Sequence, residues 1–96
     1  MNNCYFIGQI VEDLELNSDN GCYVCDFVIE VEEKWTNKSS KTQVIKTKLN
    51  CTAWDKGAEA LVNKFRKNDL IFVEGCIRHD EEGIDYIRVQ NFRKVS

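Results

Sequence analysis

Two tryptophans set among lysines are the residues of this chain whose types and spacing suggest chemistry. Between Val44 and Trp54 the residues fall into two alternating sets. Ile45, Thr47, Leu49, Cys51 and Ala53 are small and mostly apolar, whereas Val44, Lys46, Lys48, Asn50, Thr52 and Trp54 are mostly polar or basic and end in an indole. A period of two belongs to a strand with one face in a core and the other in water. A wet face carrying Lys46, Lys48 and Trp54 offers ammonium groups to phosphates and an aromatic surface to a base. Trp35 and Lys34, Lys38 and Lys41 lie just upstream and enlarge the same candidate surface.

Other chemistries are poorly supplied. His79 is the only histidine and stands beside the acidic run Asp80, Glu81, Glu82 with no nucleophile spaced near it. Adjacent acids in such a run read as solvated charge rather than a positioned acid–base pair, so no enzyme is expected. The five cysteines stand at positions 4, 22, 25, 51 and 76. Cys22 and Cys25 form a CxxC, but a zinc site normally needs four ligands, and a strand directs residues i and i+3 to opposite faces. A thioredoxin-type CxxC should open a helix, which this one does not. The thiols are therefore expected to be reduced, with no metal and no cofactor, and they suit a reducing cytoplasm.

The elements that must position the candidate surface follow from pattern. Asp55 offers an N-cap carboxylate directly after Trp54, and Ala58, Leu61, Val62 and Phe65 recur at helical spacing over about three turns. Strands are expected at Asn3 to Val11, Cys22 to Glu33, Val44 to Trp54, Leu70 to Arg78 and Ile84 to Val95. Gly8 and Gly75 fall inside strands and mark bulges or close backbone approaches. Asn17 to Gly21 reads as a turn, Trp35 to Gln43 as a long basic loop, and Asp80 to Gly83 as a tight hairpin. The fold class is all-β with one short helix. Five strands with the helix between strands 3 and 4 match a five-stranded OB-fold barrel, and residues 1–96 form a single domain. A half-open α+β sheet is the structural competitor.

With 96 residues the chain is large enough for one modest core. No apolar run approaches the roughly 18 residues of a membrane span, and no membrane association is expected. The net charge of −3 disfavours a polyanionic partner, but its distribution is uneven. Residues 1–33 carry eight acids and no Lys or Arg, residues 34–67 nine basic residues against two acids, and the remainder six acids against four basic residues. Such segregation gives a basic zone on an acidic body if folding preserves it.

Four stretches, in order along nearly the whole chain, resemble the bacterial single-stranded DNA-binding proteins: Asn2 to Leu16 (NNCYFIGQIVEDLEL), Cys25 to Trp35 (CDFVIEVEEKW), Cys51 to Glu59 (CTAWDKGAE) and Phe72 to Arg78 (FVEGCIR). The resemblance implies that Trp35 and Trp54 stack bases, that Lys34, Lys38 and Lys41 lie on a DNA-embracing loop, and that Lys46, Lys48 and Arg78 serve phosphates. It further implies sequence-independent binding of single-stranded DNA in replication, recombination and repair, a cytoplasmic, nucleoid-associated location, and a homo-oligomer, dimer or tetramer. RNA is a close variant, because stacking and phosphate contacts tolerate either sugar. The family's acidic tail is not found before Ser96, so recruitment of repair proteins through a tail is not expected. The chain departs from the family where Lys48 replaces an aromatic, where Asp26, Glu30 and Glu32 make the second strand acidic, and where the last hairpin shortens to His79 to Gly83. Those departures support an alternative: an OB-fold interaction subunit of a replication or primosome-like assembly with weak or no DNA binding. Whether both indoles and the positive zone share one face distinguishes the two.

Overall fold

In the computed structural model, which describes residues 1–95, the chain runs β1 (Cys4–Ile10), β2 (Asn17–Asp19), β3 (Cys22–Thr36), β4 (Thr42–Trp54), α1 (Asp55–Lys64), β5 (Leu70–His79) and β6 (Asp85–Lys94). The sheet order is β1-β5-β6-β4-β3-β2, and β1 also pairs with β3 through Gln9↔Glu30 and Ile10↔Ile29. That second pairing closes β1, β5, β6, β4 and β3 into a five-stranded barrel, as the sequence leads one to expect. The short β2 lies outside the closure, pairing with the start of β3 as a hairpin around Asn20 and Gly21, where the sequence reads as a turn alone.

Alternation along each strand supplies the core. Cys25, Phe27 and Ile29 of β3 face Ala53, Cys51 and Leu49 of β4, and Ile10, Ile71, Val73 and Ile87 complete the interior. Helix α1 packs on β3 and β4 through Ala58 and Leu61, and Phe65 just beyond it meets Phe92 edge-on at 5.7 Å between ring centres. All five cysteines are free thiols. Burial pushes the Cys25 thiol up to about 11, helped by the charge of Asp26, and the Cys51 thiol up to about 12. Both serve as small apolar side chains, not as nucleophiles.

Two local expectations need correction. The stretch Trp35 to Gln43 is loop only at its centre: β3 continues through Thr36 and β4 begins at Thr42, leaving a five-residue tip. Asn37 Oδ1 holds that tip by accepting from the amides of Ser39 (3.0 Å) and Lys41 (3.1 Å). Polar composition suggests a loop, but backbone pairing carries a two-stranded ribbon beyond the barrel, and the molecule reaches 55 Å along its longest axis. Asp55 is not the N-cap. That position is Trp54, with no side-chain cap bond, and Asp55 sits in the first turn with φ of 52°, a left-handed conformation Asp tolerates better than most residues. At Gly8 the strand stays in register with Ile71, and of the two readings of a strand glycine the close backbone approach is the one that holds.

Gly8 and Gly75 are, as expected, points where backbones approach too closely for a side chain. A Cβ at Gly8 would stand 2.9 Å from the Glu30 carbonyl oxygen, and one at Gly75 would stand 2.0 Å from that of Arg88. Gly75 also carries the bulge, after Glu74, that lets β5 bend against β6. Gly57 in α1 has open space around its missing side chain. Accordingly, Gly75→Ala is expected to lower unfolding stability by about 1–3 kcal/mol. Gly57→Ala is expected to raise it by about 0.5–1 kcal/mol. Urea denaturation followed by circular dichroism measures both.

Candidate nucleic-acid interface

The β3–β4 register decides which side chains share a face. Directly paired residues in an antiparallel sheet project to the same side. Val24↔Trp54, Asp26↔Thr52, Val28↔Asn50, Glu30↔Lys48, Glu32↔Lys46 and Lys34↔Val44 therefore line the face turned away from the core. β6 joins that face through Thr52↔Arg88, which also places Tyr86 there, and β5 adds Arg78 opposite Tyr86. The assembled surface carries an indole, a phenol, three lysines and two arginines. Among the residues singled out from sequence, Trp54, Lys34, Lys46, Lys48 and Arg78 meet on this face.

Trp35 does not. It pairs with Gln43 in the same alternating set as Phe27, Ile29 and Val31, so it belongs to the core-side face of the ribbon. The ribbon has left the barrel by then, and Trp35 is 46% exposed instead of buried. The two indoles thus sit on opposite faces of one hairpin, eleven rungs of the ladder apart. Lys38 and Lys41 lie at the ribbon tip, outside the paired strands.

Charge on the Trp54 face is mixed. Lys46 and Lys48 stand opposite Glu32 and Glu30, cross-strand pairs of opposite sign that offset part of their field. Among the described residues the lysine or arginine ion pair closer than 4.0 Å lies elsewhere, Lys94 with Asp69 at 3.2 Å, while His79 Nδ1 lies 2.5 Å from Asp85 Oδ1 at the β5–β6 hairpin. The Arg66 amide donates to Asp69, and Lys94 adds its own hydrogen bond, so that carboxyl is held below its usual range and the turn before β5 is fastened. Lys34, Lys38 and Lys41, near the tip, face no acidic partner in the register. The positive zone expected from sequence survives, but at the far end of the ribbon.

At the root of the ribbon, beside Trp54, lies an open cavity of about 560 Å³. Its lining includes Trp54, Tyr86, Asn50, Val28, Asp26 and Ile84. The Thr52 hydroxyl, on the same floor, donates to Asp26 Oδ1 at 2.6 Å. Glu12, Asp19, Asp80 and Asp85 stand around it, and no Lys or Arg lines it among the described residues. Sequence reasoning missed Tyr86 and Arg88. Their signal was present, since Tyr86 and Arg88 alternate with Ile87 and Val89 as Lys48 and Trp54 alternate with apolar neighbours in β4. No group of three or more His, Cys, Asp and Glu side chains suited to a metal ion occurs among the described residues, nor is any helix there long and apolar enough to cross a membrane.

A sequence profile described as the Single-strand binding protein family matches residues 1–85. Curated relatives include a single-stranded DNA-binding protein of Enterococcus faecalis, 30% identical over 79 residues that make up 81% of this chain and 41% of that protein. The single-stranded DNA-binding protein 1 of Streptococcus pyogenes is 30% identical over the same length, covering 59% of that protein. The chain thus spans about half the length of the curated relatives it matches. Among solved structures, the single-stranded DNA binding protein from Thermus aquaticus superposes on all of this chain and 50% of its own with TM-score 0.85 at 18% identity. A Plasmodium falciparum SSB in complex with ssDNA gives TM-score 0.84 at 17% identity, over all of this chain and 96% of its own. At those identities the likeness shows a common barrel.

The placement of the indoles has a direct readout. With Trp54→Phe, leaving only the exposed Trp35, emission is expected to be red-shifted and steeply quenched by acrylamide. With Trp35→Phe, leaving the half-buried Trp54, quenching should be shallower. Equal quenching of the two variants would contradict the assigned exposures.

Proposed function

Because the chain belongs to the Single-strand binding protein family, we propose that it binds single-stranded DNA without strong regard to sequence, in replication, recombination and repair. The observation that carries this reading is the register, which gathers Trp54, Tyr86, Lys46, Lys48, Arg78 and Arg88 on one accessible face. A base stacks on Trp54 at the barrel, while the phosphates follow Lys48, Lys46 and Lys34 outward to Lys38 and Lys41. Trp35, on the other side of the ribbon, contacts a strand that wraps around the hairpin rather than one lying flat on the barrel. The activity is binding, with no reaction assigned, and it belongs in the cytoplasm, where five free thiols stay reduced.

Anisotropy of a labelled oligo(dT) in a salt series tests this. Affinity is expected to fall linearly in log–log form as salt rises, because each phosphate contact releases condensed cations. Lys46→Ala and Lys48→Ala should each reduce the slope by about 0.7, the value for one single-strand phosphate contact. Trp54→Ala should cost about 1–3 kcal/mol with the slope unchanged. Absence of saturable binding at low salt would favour the second reading, an interaction subunit, which the acidic cavity lining supports.

A homo-oligomer, dimer or tetramer, is part of the proposal. On the outer face of β1 and β5, Tyr5, Ile7, Leu70 and Phe72 form an apolar patch, with Tyr5 61% and Ile7 53% exposed. Tyr5 stacks on Phe72 at 6.4 Å, and Arg93 lies over that ring at 5.1 Å. β1 pairs with β5 along its length and with β3 only at Gln9 and Ile10, so from Cys4 to Ile7 its other edge has no strand partner. An open edge beside an apolar face invites a second copy. Light scattering is expected to give a dimer or tetramer for the wild type and a lower mass for Ile7→Glu.

A further inference from the structure

The cavity beside Trp54 is unlike a phosphate site. Its charged lining is all carboxylate (Glu12, Asp19, Asp26, Asp80 and Asp85), with no Lys or Arg among the described lining residues. Much of that acceptor capacity is already spent. Asp80 Oδ1 takes the amides of Glu82 and Ile84, both at 2.9 Å, to hold the β5–β6 hairpin, and Asp85 is paired with His79. Asp26 differs. The buried Thr52 hydroxyl fixes Oδ1 at 2.6 Å, which orients the carboxylate and leaves Oδ2 without a hydrogen-bond partner among the described residues. Asp26 lies one step along the same face from Val24, the direct partner of Trp54, so it is a diagonal neighbour of the indole. Diagonal neighbours across an antiparallel pair are about 7–8 Å apart, within reach of the edge of a ring stacked on the indole.

A stacked base therefore turns its edge toward a fixed carboxylate. Cytosine and adenine present an exocyclic amino group, which donates to a carboxylate. Thymine and uracil present a carbonyl oxygen at the corresponding position, which faces negative charge. We propose that this cavity reads the amino group of one base, with Asp26 as the acceptor, so that the chain prefers cytosine and adenine over thymine at the Trp54 position. Asp26 is then a specificity-determining residue in a protein whose phosphate contacts are indifferent to sequence. The inference rests on the reading of the chain as a single-stranded DNA binder. It also gives one acid of the second strand, Asp26, a place beside a nucleic-acid surface: the phosphates stay on the ribbon, and only base edges enter the cavity.

The test is competition between (dC) and (dU) oligonucleotides of equal length, at neutral pH and fixed salt, read by anisotropy. The two bases differ in their hydrogen-bonding edge and lack the methyl group that would complicate a comparison with thymine. The wild type is expected to bind (dC) about fivefold or more tightly than (dU), with equal salt slopes. Asp26→Asn retains an oxygen for the Thr52 hydroxyl and adds a donor for the uracil carbonyl, so it should narrow the ratio by improving (dU) binding. Saturable binding of both homopolymers with equal affinity would overturn the inference and leave DNA binding standing. Failure of both to bind would remove the DNA-binding reading itself and the inference with it. An unchanged ratio in a folded Asp26→Asn protein would overturn the role given to Asp26.

Discussion

The continuous ladder between β3 and β4, from Val24↔Trp54 at the barrel to Thr36↔Thr42 at the tip, is the constraint on which the rest of the molecule depends. One slip of register would exchange every inward and outward side chain along it. With the register as it stands, Phe27, Ile29, Cys51 and Ala53 are inside and Asp26, Lys46, Lys48 and Trp54 are outside. The same ladder continues where there is no longer a core to bury, so its inner set surfaces in Ile45 and Trp35. One pairing thus makes a barrel wall at one end and a two-faced basic ribbon at the other.

Barrel closure depends on two backbones meeting others at short range. Gly8 admits the Glu30 carbonyl and Gly75 that of Arg88, and these contacts carry β1 and β6 to the positions that complete the sheet. Closure in turn sets β6 beside β4, which delivers Tyr86 and Arg88 to the face of Trp54. The electrostatics follow the same division. Cations without an acidic partner in the register gather at the ribbon tip, compensated ones lie along its middle, and carboxylates surround the cavity at its root. A polyanion with aromatic side groups matches that order when its phosphates track the ribbon and its bases reach the cavity.

Much of this was legible in the chain. Alternation with period two located five barrel strands, the spacing of Ala58, Leu61 and Phe65 located the helix, and Gly75 was marked as a kink. What escaped notice did so for physical reasons. Thr36, Thr42 and Gln43 belong to a polar stretch that looks like a loop, but their backbones pair across the hairpin, so the ribbon runs longer than composition suggests. Asp55 has the side chain of an N-cap, yet the extended end of β4 carries Trp54 into that position and leaves Asp55 in the first turn. The separation of Trp35 from Trp54 follows from odd and even positions in paired strands, and only the register of the hairpin reveals it. Tyr86 and Arg88 gain their meaning from the parallel β4–β6 contact, a long-range pairing that local pattern does not encode.

The most direct test of the central claim uses the two indole N–H resonances of ¹⁵N-labelled protein, assigned with Trp54→Phe, during titration with a short single-stranded oligonucleotide. The account requires the Trp54 resonance to move saturably with added strand and to return as salt is raised. The Trp35 resonance should respond only to strands long enough to pass around the ribbon. A Trp54 resonance that stays fixed while the strand binds would contradict stacking at the barrel face and move the binding surface elsewhere on the molecule.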